Sequence, residues 1–463
     1  MTNTHDAIII GAGQAGPALA ARLTAAGMSV AVIERKLFGG TCVNTGCIPT
    51  KTLVASAYAA HVARRANDYG VNTGGEVAVD MKAVKARKDL VSTRARQGVE
   101  AWLEHMERCT VYRGHARFLS PREVQVGTDR LTADRVFINV GGRALVPAMP
   151  GVDSVTTLTN TTILELDTLP RHLVVVGGSY VGLEFAQIYR RFGAAVTVVE
   201  KAPRLIARED EDVSAAVKEI LEAEGIAVRL NAECIRFAPH GTDIAVGVEC
   251  TSGPPAIVGS HVLLAIGRQP KTGDLGLEKA GIETDVRGYI VVDDELRTSA
   301  PGVWALGDCN GRGAFTHTSY NDFEIAAANL LDGERRRVSD RVPAYALYID
   351  PPLGRVGMTE AQARATKRQL LVGRRPMTRV GRAVEKGETQ GFMMAIADAE
   401  THQILGAAIL GTGGDEAIHG ILDVMNARIP YTMLQRAVPI HPTVSELIPT
   451  LLGDMKAIPP QGS

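Results

Sequence analysis

Twice along the chain a short β-branched run leads into a glycine turn, an apolar-periodic helix and a second strand that ends on a glutamate. The first copy reads Ala7-Ile-Ile-Ile10, then Gly11-Ala-Gly13-Gln-Ala-Gly16, a helix over 18–26 and a strand over 29–33 ending at Glu34. The second reads as a strand over 173–176, then Gly177-Gly-Ser179-Tyr180-Val-Gly182, a helix over 183–192 and a strand Ala195–Val199 ending at Glu200. Each glycine has a physical task. Gly11 permits the tight turn, Gly13 lets the backbone approach a pyrophosphate, and Gly16 lets helix and strand pack closely. The pyrophosphate then faces a helix N-terminus, whose unpaired N–H groups favour negative charge. Glu34 and Glu200 stand about twenty residues further on, where a carboxylate accepts ribose hydroxyls. In the second copy Ser179 replaces the middle glycine, a small residue whose hydroxyl can still reach a phosphate oxygen. Two such units predict two dinucleotide sites on one chain.

The chain has 463 residues, enough for roughly three domains of ordinary size. A formal net charge of −1 gives no reason to expect nucleic acid or an anionic membrane surface as a partner. The polar start, without a basic segment followed by an apolar one, and the lack of a long apolar run predict a cytoplasmic protein that does not enter a membrane. In a reducing compartment a disulfide is more often catalytic than structural. Cys109, Cys234, Cys250 and Cys309 read as small buried hydrophobes.

Cys42 and Cys47 are different. They lie in Gly39-Gly40-Thr41-Cys42-Val-Asn-Thr-Gly-Cys47-Ile-Pro-Thr-Lys51, with a Gly-Gly turn before them and a proline at the start of a helix after them. No second Cys or His pair follows at zinc-site spacing, so no metal-ligand set is expected. A thiolate near a helix N-terminus has a lowered pKa, which suits thiol–disulfide exchange.

Together with the N-terminal glycine turn, this segment resembles the class I pyridine nucleotide-disulfide oxidoreductases, which include lipoamide dehydrogenase, glutathione reductase and mercuric reductase. The likeness extends along essentially the whole chain. Thr298-Ser-Ala-Pro-Gly-Val-Trp-Ala-Leu-Gly-Asp308 is similar to the family's second FAD motif, Val262-Leu-Leu-Ala-Ile-Gly267-Arg268 to the segment closing its NAD domain, and Gly114-His-Ala116 to the stretch beside the FAD adenine. The resemblance implies an α/β protein with two Rossmann-like dinucleotide-binding domains and a C-terminal α+β dimerisation domain. Its expected boundaries are 1–150 with 271–338 for FAD, 151–270 for NAD(P) and 339–463 for the interface. In the last part, strands are expected over 345–349, 392–397 and Ile404–Leu410, with a helix near 416–427.

It also implies roles. FAD would be held by Gly11, Gly13, Gly16, Glu34, Gly40, Thr41, Lys51, Ala116, Asp308 and Thr316. NAD(P)H would be held by Gly177, Ser179, Gly182, Glu200 and Gly267. Hydride would pass from NAD(P)H to FAD and on to a Cys42–Cys47 disulfide, with Cys47 nearer the flavin and Cys42 meeting the substrate. Tyr180 would gate the nicotinamide, Lys51 would pair with Glu184 beside the flavin, and His441 with Glu446 would move protons across the interface of a homodimer. The carboxylate of Glu200 favours NADH, while Lys201 and Arg204 lie close enough to hold a 2′-phosphate.

Within the family, Asp350-Pro-Pro-Leu-Gly-Arg-Val-Gly-Met-Thr-Glu360 is most similar to the mercuric-reductase-like branch, which includes flavoproteins of reactive-chlorine resistance and copper reduction. No cysteine follows Cys309, whereas mercuric reductases carry a vicinal pair near the C-terminus, and those enzymes typically lack the His–Glu dyad present here. The expected substrate is therefore a small-molecule disulfide. The alternatives are a Cu(II) or Hg(II) ion, reduced in metal or oxidant stress, and dihydrolipoamide.

Overall fold

In the computed structural model, which describes residues 2–249 and 254–459, the first unit is built on a five-stranded sheet. Its spatial order is Val303–Ala305, Arg135–Ile138, Ala7–Ile10, Val30–Glu34 and Cys109–Arg113, all parallel. The run Ala7–Ile10 is apolar without alternation because both faces of a parallel sheet are covered. On one face the helix Ala15–Ala25 buries Leu19, Ala20 and Leu23 against it. That helix begins earlier than the expected 18–26, since Pro17 sits in its first turn, where a missing N–H costs nothing.

The second unit repeats the scheme with His172–Val176, Ala195–Val199, Ala227–Arg229 and His261–Leu264 in one parallel sheet. The helix Tyr180–Phe192 follows its glycine turn and is buried along most of its length. The antiparallel pair Gly142–Ala144 with Arg268–Pro270 lies where the chain leaves the first unit and where it comes back. After that return, Val303–Ala305 completes the edge of the first sheet.

The C-terminal part is a six-stranded antiparallel sheet ordered Ala344–Leu347, Leu353–Gly357, Ile404–Leu410, Phe392–Asp398, Leu370–Pro376 and Lys456–Ile458. The helix expected over 416–427 is two helices, Gly414–Ala417 and His419–Asn426. The break falls at Ile418, whose amide reaches Gly414 only at 3.3 Å, two residues before the helix-weakening Gly420. Among the described residues no helix is long and apolar enough to cross a membrane. Cys309 is fully buried, as expected of a small hydrophobe, but Cys109 is only partly so. Cys250 and the side chain of Cys234 lie outside the described residues.

Arg191 joins the second unit to the C-terminal sheet. It is 5% exposed on the helix Tyr180–Phe192 and reaches Glu224 and Asp350, each at 2.7 Å. Removing one member of a buried ionic cluster strands the others, which costs about 3–5 kcal/mol. The two carboxylates here retain some contact with water, so the lower end applies. Arg191→Leu is expected to lower stability by about 3 kcal/mol, and Arg191→Lys by less, measured as the shift in the denaturant midpoint of the holoenzyme.

Candidate active site

The first glycine turn is fixed by contacts that admit no side chain. A Cβ on Gly11, where φ is +107°, would stand 2.3 Å from the Asn139 carbonyl oxygen, and one on Gly16 would stand 2.4 Å from the Gly11 oxygen. Gly40, with φ +63°, brings its backbone against Gly13, since a Cβ there would lie 2.9 Å from the Gly13 Cα. The turn and the segment carrying the two cysteines thus meet backbone to backbone. Glu34 closes the turn, accepting hydrogen bonds from the amides of Ala12 (3.0 Å) and Lys36 (2.8 Å). Glu200 does the same in the second unit, accepting from Gly178 (2.6 Å) and Ala202 (2.8 Å). Gly182 packs so closely that a Cβ would stand 2.0 Å from the Gly177 oxygen.

Cys42 lies in a short helix, Gly40–Thr45, and Cys47 is the first residue of the helix Cys47–Arg64. Gly46 separates the two helices, turning the chain so that both sulfurs face each other. They are free thiols here, the reduced form of the expected pair. The Cys42 thiol donates to Cys47, and this bond, reinforced by Thr316 at 3.3 Å and by the charge of Lys51, pulls Cys47 down to about 6. The same bond, together with burial, drives Cys42 far above the ordinary thiol range. The two thiols of the reduced site are thus unequal, Cys47 being the more acidic and Cys42 the donor to it.

Lys51, one helical turn beyond Cys47, pairs with Glu184 at 2.7 Å and lies 4.7 Å from the ring centroid of Tyr348. Glu184 is 5% exposed and also accepts the Tyr348 amide at 3.1 Å.

A cavity of about 550 Å³ connects these features. Gly11, Gly13, Glu34, Gly40, Thr41, Ala116 and Asp308 line it, as do Cys42, Cys47, Lys51, Thr316, Tyr180 and Glu184. Gly16 stands behind the wall as a packing residue. Gly177, Ser179, Gly182, Glu200 and Gly267 are not on its wall; the first four form the second glycine turn and its closing acid, and Gly267 begins the return to the first unit. His441 and Glu446 are paired at 2.8 Å but lie apart from the cavity, with the His441 side chain 80% exposed. Beside them Val438 and Ile440 are 97% and 80% exposed, apolar surface that a second copy can cover.

The cavity suits FAD. Burial and the neighbouring Arg35 and Arg268 hold Lys271 below the ordinary lysine range, a gathering of positive charge that matches a diphosphate. Burial raises Asp308 against the charges of Arg268 and Lys271, and its carboxyl lies on the cavity wall, where it could bond a polyhydroxyl chain. A bound flavin supplies a two-electron carrier between nicotinamide and dithiol.

Sequence reasoning missed several wall residues. Asn139, buried at the C-terminal end of a strand, donates to the Gly11 oxygen at 3.3 Å, and its place just beyond that strand was a legible signal. Tyr348 and Phe315 carry no local pattern that marks them.

Two dinucleotide turns, a dithiol with one stabilised thiolate and an adjoining Lys–Glu pair define an FAD- and NAD(P)H-dependent disulfide oxidoreductase. The chain belongs to the pyridine nucleotide-disulphide oxidoreductase family, whose model matches residues 5–322, and the family's dimerisation domain matches 343–452. It is 36% identical to the probable pyridine nucleotide-disulfide oxidoreductase RclA of Escherichia coli, over 98% of this chain and all of that one. A dihydrolipoyl dehydrogenase of Thermus scotoductus is 33% identical over 96% of this chain and 95% of its own length. A mercuric reductase of Streptomyces lividans is 32% identical over 96% and 94%. The Cu(II) complex of the HOCl-induced flavoprotein disulfide reductase RclA superposes with a TM-score of 0.89 at 35% identity, covering 97% of this chain and 99% of that one.

Because Cys47 ionises near 6, the reduced enzyme is expected to carry one thiolate above that pH and to lose it below. Ultraviolet thiolate absorbance should titrate with a midpoint near 6. The midpoint should move up in Cys42→Ala, which removes the principal donor, and by less in Thr316→Val.

Proposed function

We propose that this enzyme reduces a small-molecule disulfide with electrons from NADH, working as a homodimer in which each site draws His441 and Glu446 from the other subunit. The observation that carries the reading is the reduced dithiol itself. Its two thiols are electrostatically unequal, and an imidazole oriented by a carboxylate stands exposed on the same chain. The division into an FAD unit (1–150 and 271–338), a nicotinamide unit (151–270) and an interface unit (339–463) follows from the same reading.

Each residue then has a task. Gly11, Gly13, Gly40, Thr41, Ala116, Asp308 and Thr316 would hold FAD, Glu34 would accept from its ribose hydroxyls, and Lys51–Glu184 would set the charge beside the flavin. Gly177, Ser179, Gly182, Glu200 and Gly267 would hold the nicotinamide nucleotide, with Tyr180 as its gate. Cys42, after giving its proton to His441, attacks one sulfur of the substrate and forms a mixed disulfide. The first product thiol leaves with a proton from the imidazolium. The Cys47 thiolate then attacks the Cys42 sulfur, the second product thiolate departs and the Cys42–Cys47 disulfide is restored, a two-electron reduction in all.

A second reading is supported by the likeness to a Cu(II) complex. In it the dithiol takes up the metal ion and closes to the disulfide, its two electrons reducing one Hg(II) to Hg(0) or two Cu(II) to Cu(I). Among the described residues no group of three or more His, Cys, Asp and Glu is placed to hold a metal ion, so in this reading the two sulfurs alone would take it up. Dihydrolipoamide as the substrate is supported by the dehydrogenase relatives and by the dyad.

Anaerobic NADH and NADPH oxidation against lipoamide, low-molecular-weight disulfides, Cu(II) and Hg(II) separates these readings. We expect a disulfide to be turned over, with activity falling by at least about a hundredfold in Cys42→Ser and in His441→Gln, the range for lost general acid–base catalysis. NADH should exceed NADPH in kcat/KM, and Glu200→Gln should narrow that ratio. Turnover of metal ions alone, unaffected by His441→Gln, would replace the first reading with the second.

A further inference from the structure

The tyrosine expected to gate the nicotinamide has its ring on the cavity wall and its hydroxyl anchored away from it. Tyr180 donates to Glu209 Oε1 at 3.1 Å, and Tyr345 donates to the same oxygen at 2.7 Å. The other carboxylate oxygen, Oε2, accepts from Arg355 Nε at 2.9 Å. Arg355 is 0% exposed, and its Nη2 also reaches Asp210 at 3.2 Å. Among the described residues its Nη1 has no partner, and Glu209 and Asp210 are the carboxylates that balance its charge. Tyr345 and Arg355 face each other across antiparallel strands of the C-terminal sheet, so Glu209 rests on one cross-strand pair. Asp210 extends the link, accepting the Glu360 and Ala361 amides at the start of the helix Glu360–Ala365. The rings pack as well: Tyr180 meets Tyr345 edge to face at 5.6 Å, and Tyr345 stacks on Phe315.

We propose that Glu209, fixed by the buried Arg355, is a positioning residue that holds Tyr180 in the closed position, so that this carboxylate sets the free energy of admitting the nicotinamide. The inference rests on the reading of Tyr180 as the gate and deepens it. Burial, followed by the Glu209 charge, raises both phenols, so each remains a donor. An oxygen that accepts two phenols holds each less tightly than it would hold one. The hydroxyls of Tyr180 and Tyr345 therefore compete for Glu209, and their removal should act in opposite directions. A strut that merely joins two domains has no such sign difference.

The test uses oxidised, FAD-loaded enzyme and NAD⁺ as the probe, with the dissociation constant measured by calorimetric titration. Tyr180→Phe is expected to tighten NAD⁺ binding about tenfold, the lower end for a bond to a charged acceptor that opening no longer has to break. Tyr345→Phe is expected to weaken it about twofold, as Glu209 turns wholly to Tyr180. Tyr180→Ala, which removes the ring, reports on the gate itself. If Tyr180→Ala tightens binding while Tyr180→Phe leaves it within about twofold, the gate stands and the Glu209 anchor is overturned. Tightening by both phenylalanine variants also overturns it, since the network then acts only as structure. If Tyr180→Ala leaves NAD⁺ binding unchanged, the gate reading fails and the anchor with it.

Discussion

One buried carboxylate joins the three parts of this enzyme. Glu184 lies on the helix of the second dinucleotide unit, pairs with Lys51 on the helix that begins at Cys47, and accepts an amide at Tyr348 in the C-terminal part. With 5% of its surface exposed, it would be an uncompensated charge without Lys51. The pair therefore ties the second dinucleotide unit to the helix that begins at Cys47, and both partners line the cavity.

The two glycine turns serve the same end by a different route. At Gly11 and Gly13 the chain is stripped of side chains so that Asn139 and Gly40 can press against it. The wall formed there is backbone, rich in N–H groups and free of bulk, and so suited to a phosphate. Arg35, Arg268 and Lys271 bring positive charge to the cavity wall, and on the same wall the Cys47 thiol is made more acidic by Cys42, Thr316 and Lys51.

Much of this was legible in the residues. The strand–turn–helix–acid recurrence placed both dinucleotide turns, and the spacing of Cys42, Cys47 and Lys51 marked the redox segment. The Lys51–Glu184 and His441–Glu446 pairs, expected from family likeness, are formed. Less legible was anything that depended on which strands meet. Glu209 and Arg355 are charged residues in unremarkable local contexts, and only the packing of a loop from the second unit onto Tyr345↔Arg355 turns them into a buried network. The helix expected over 416–427 is interrupted at Ile418 by a stretched hydrogen bond that no local residue pattern registers.

The sequence by itself determined the local geometry and its chemistry: where the backbone turns without a Cβ, where helices begin, and which sulfurs lie close enough to exchange. Those properties depend on residues within a few positions of one another, and steric exclusion acts at that range. Tertiary structure alone decided which groups share a charge. Glu209 with Arg355 and Arg191 with Asp350 are brought together over long stretches of chain. Electrostatic energy depends on distance and burial in the folded molecule, and neither is encoded at any single place along the chain.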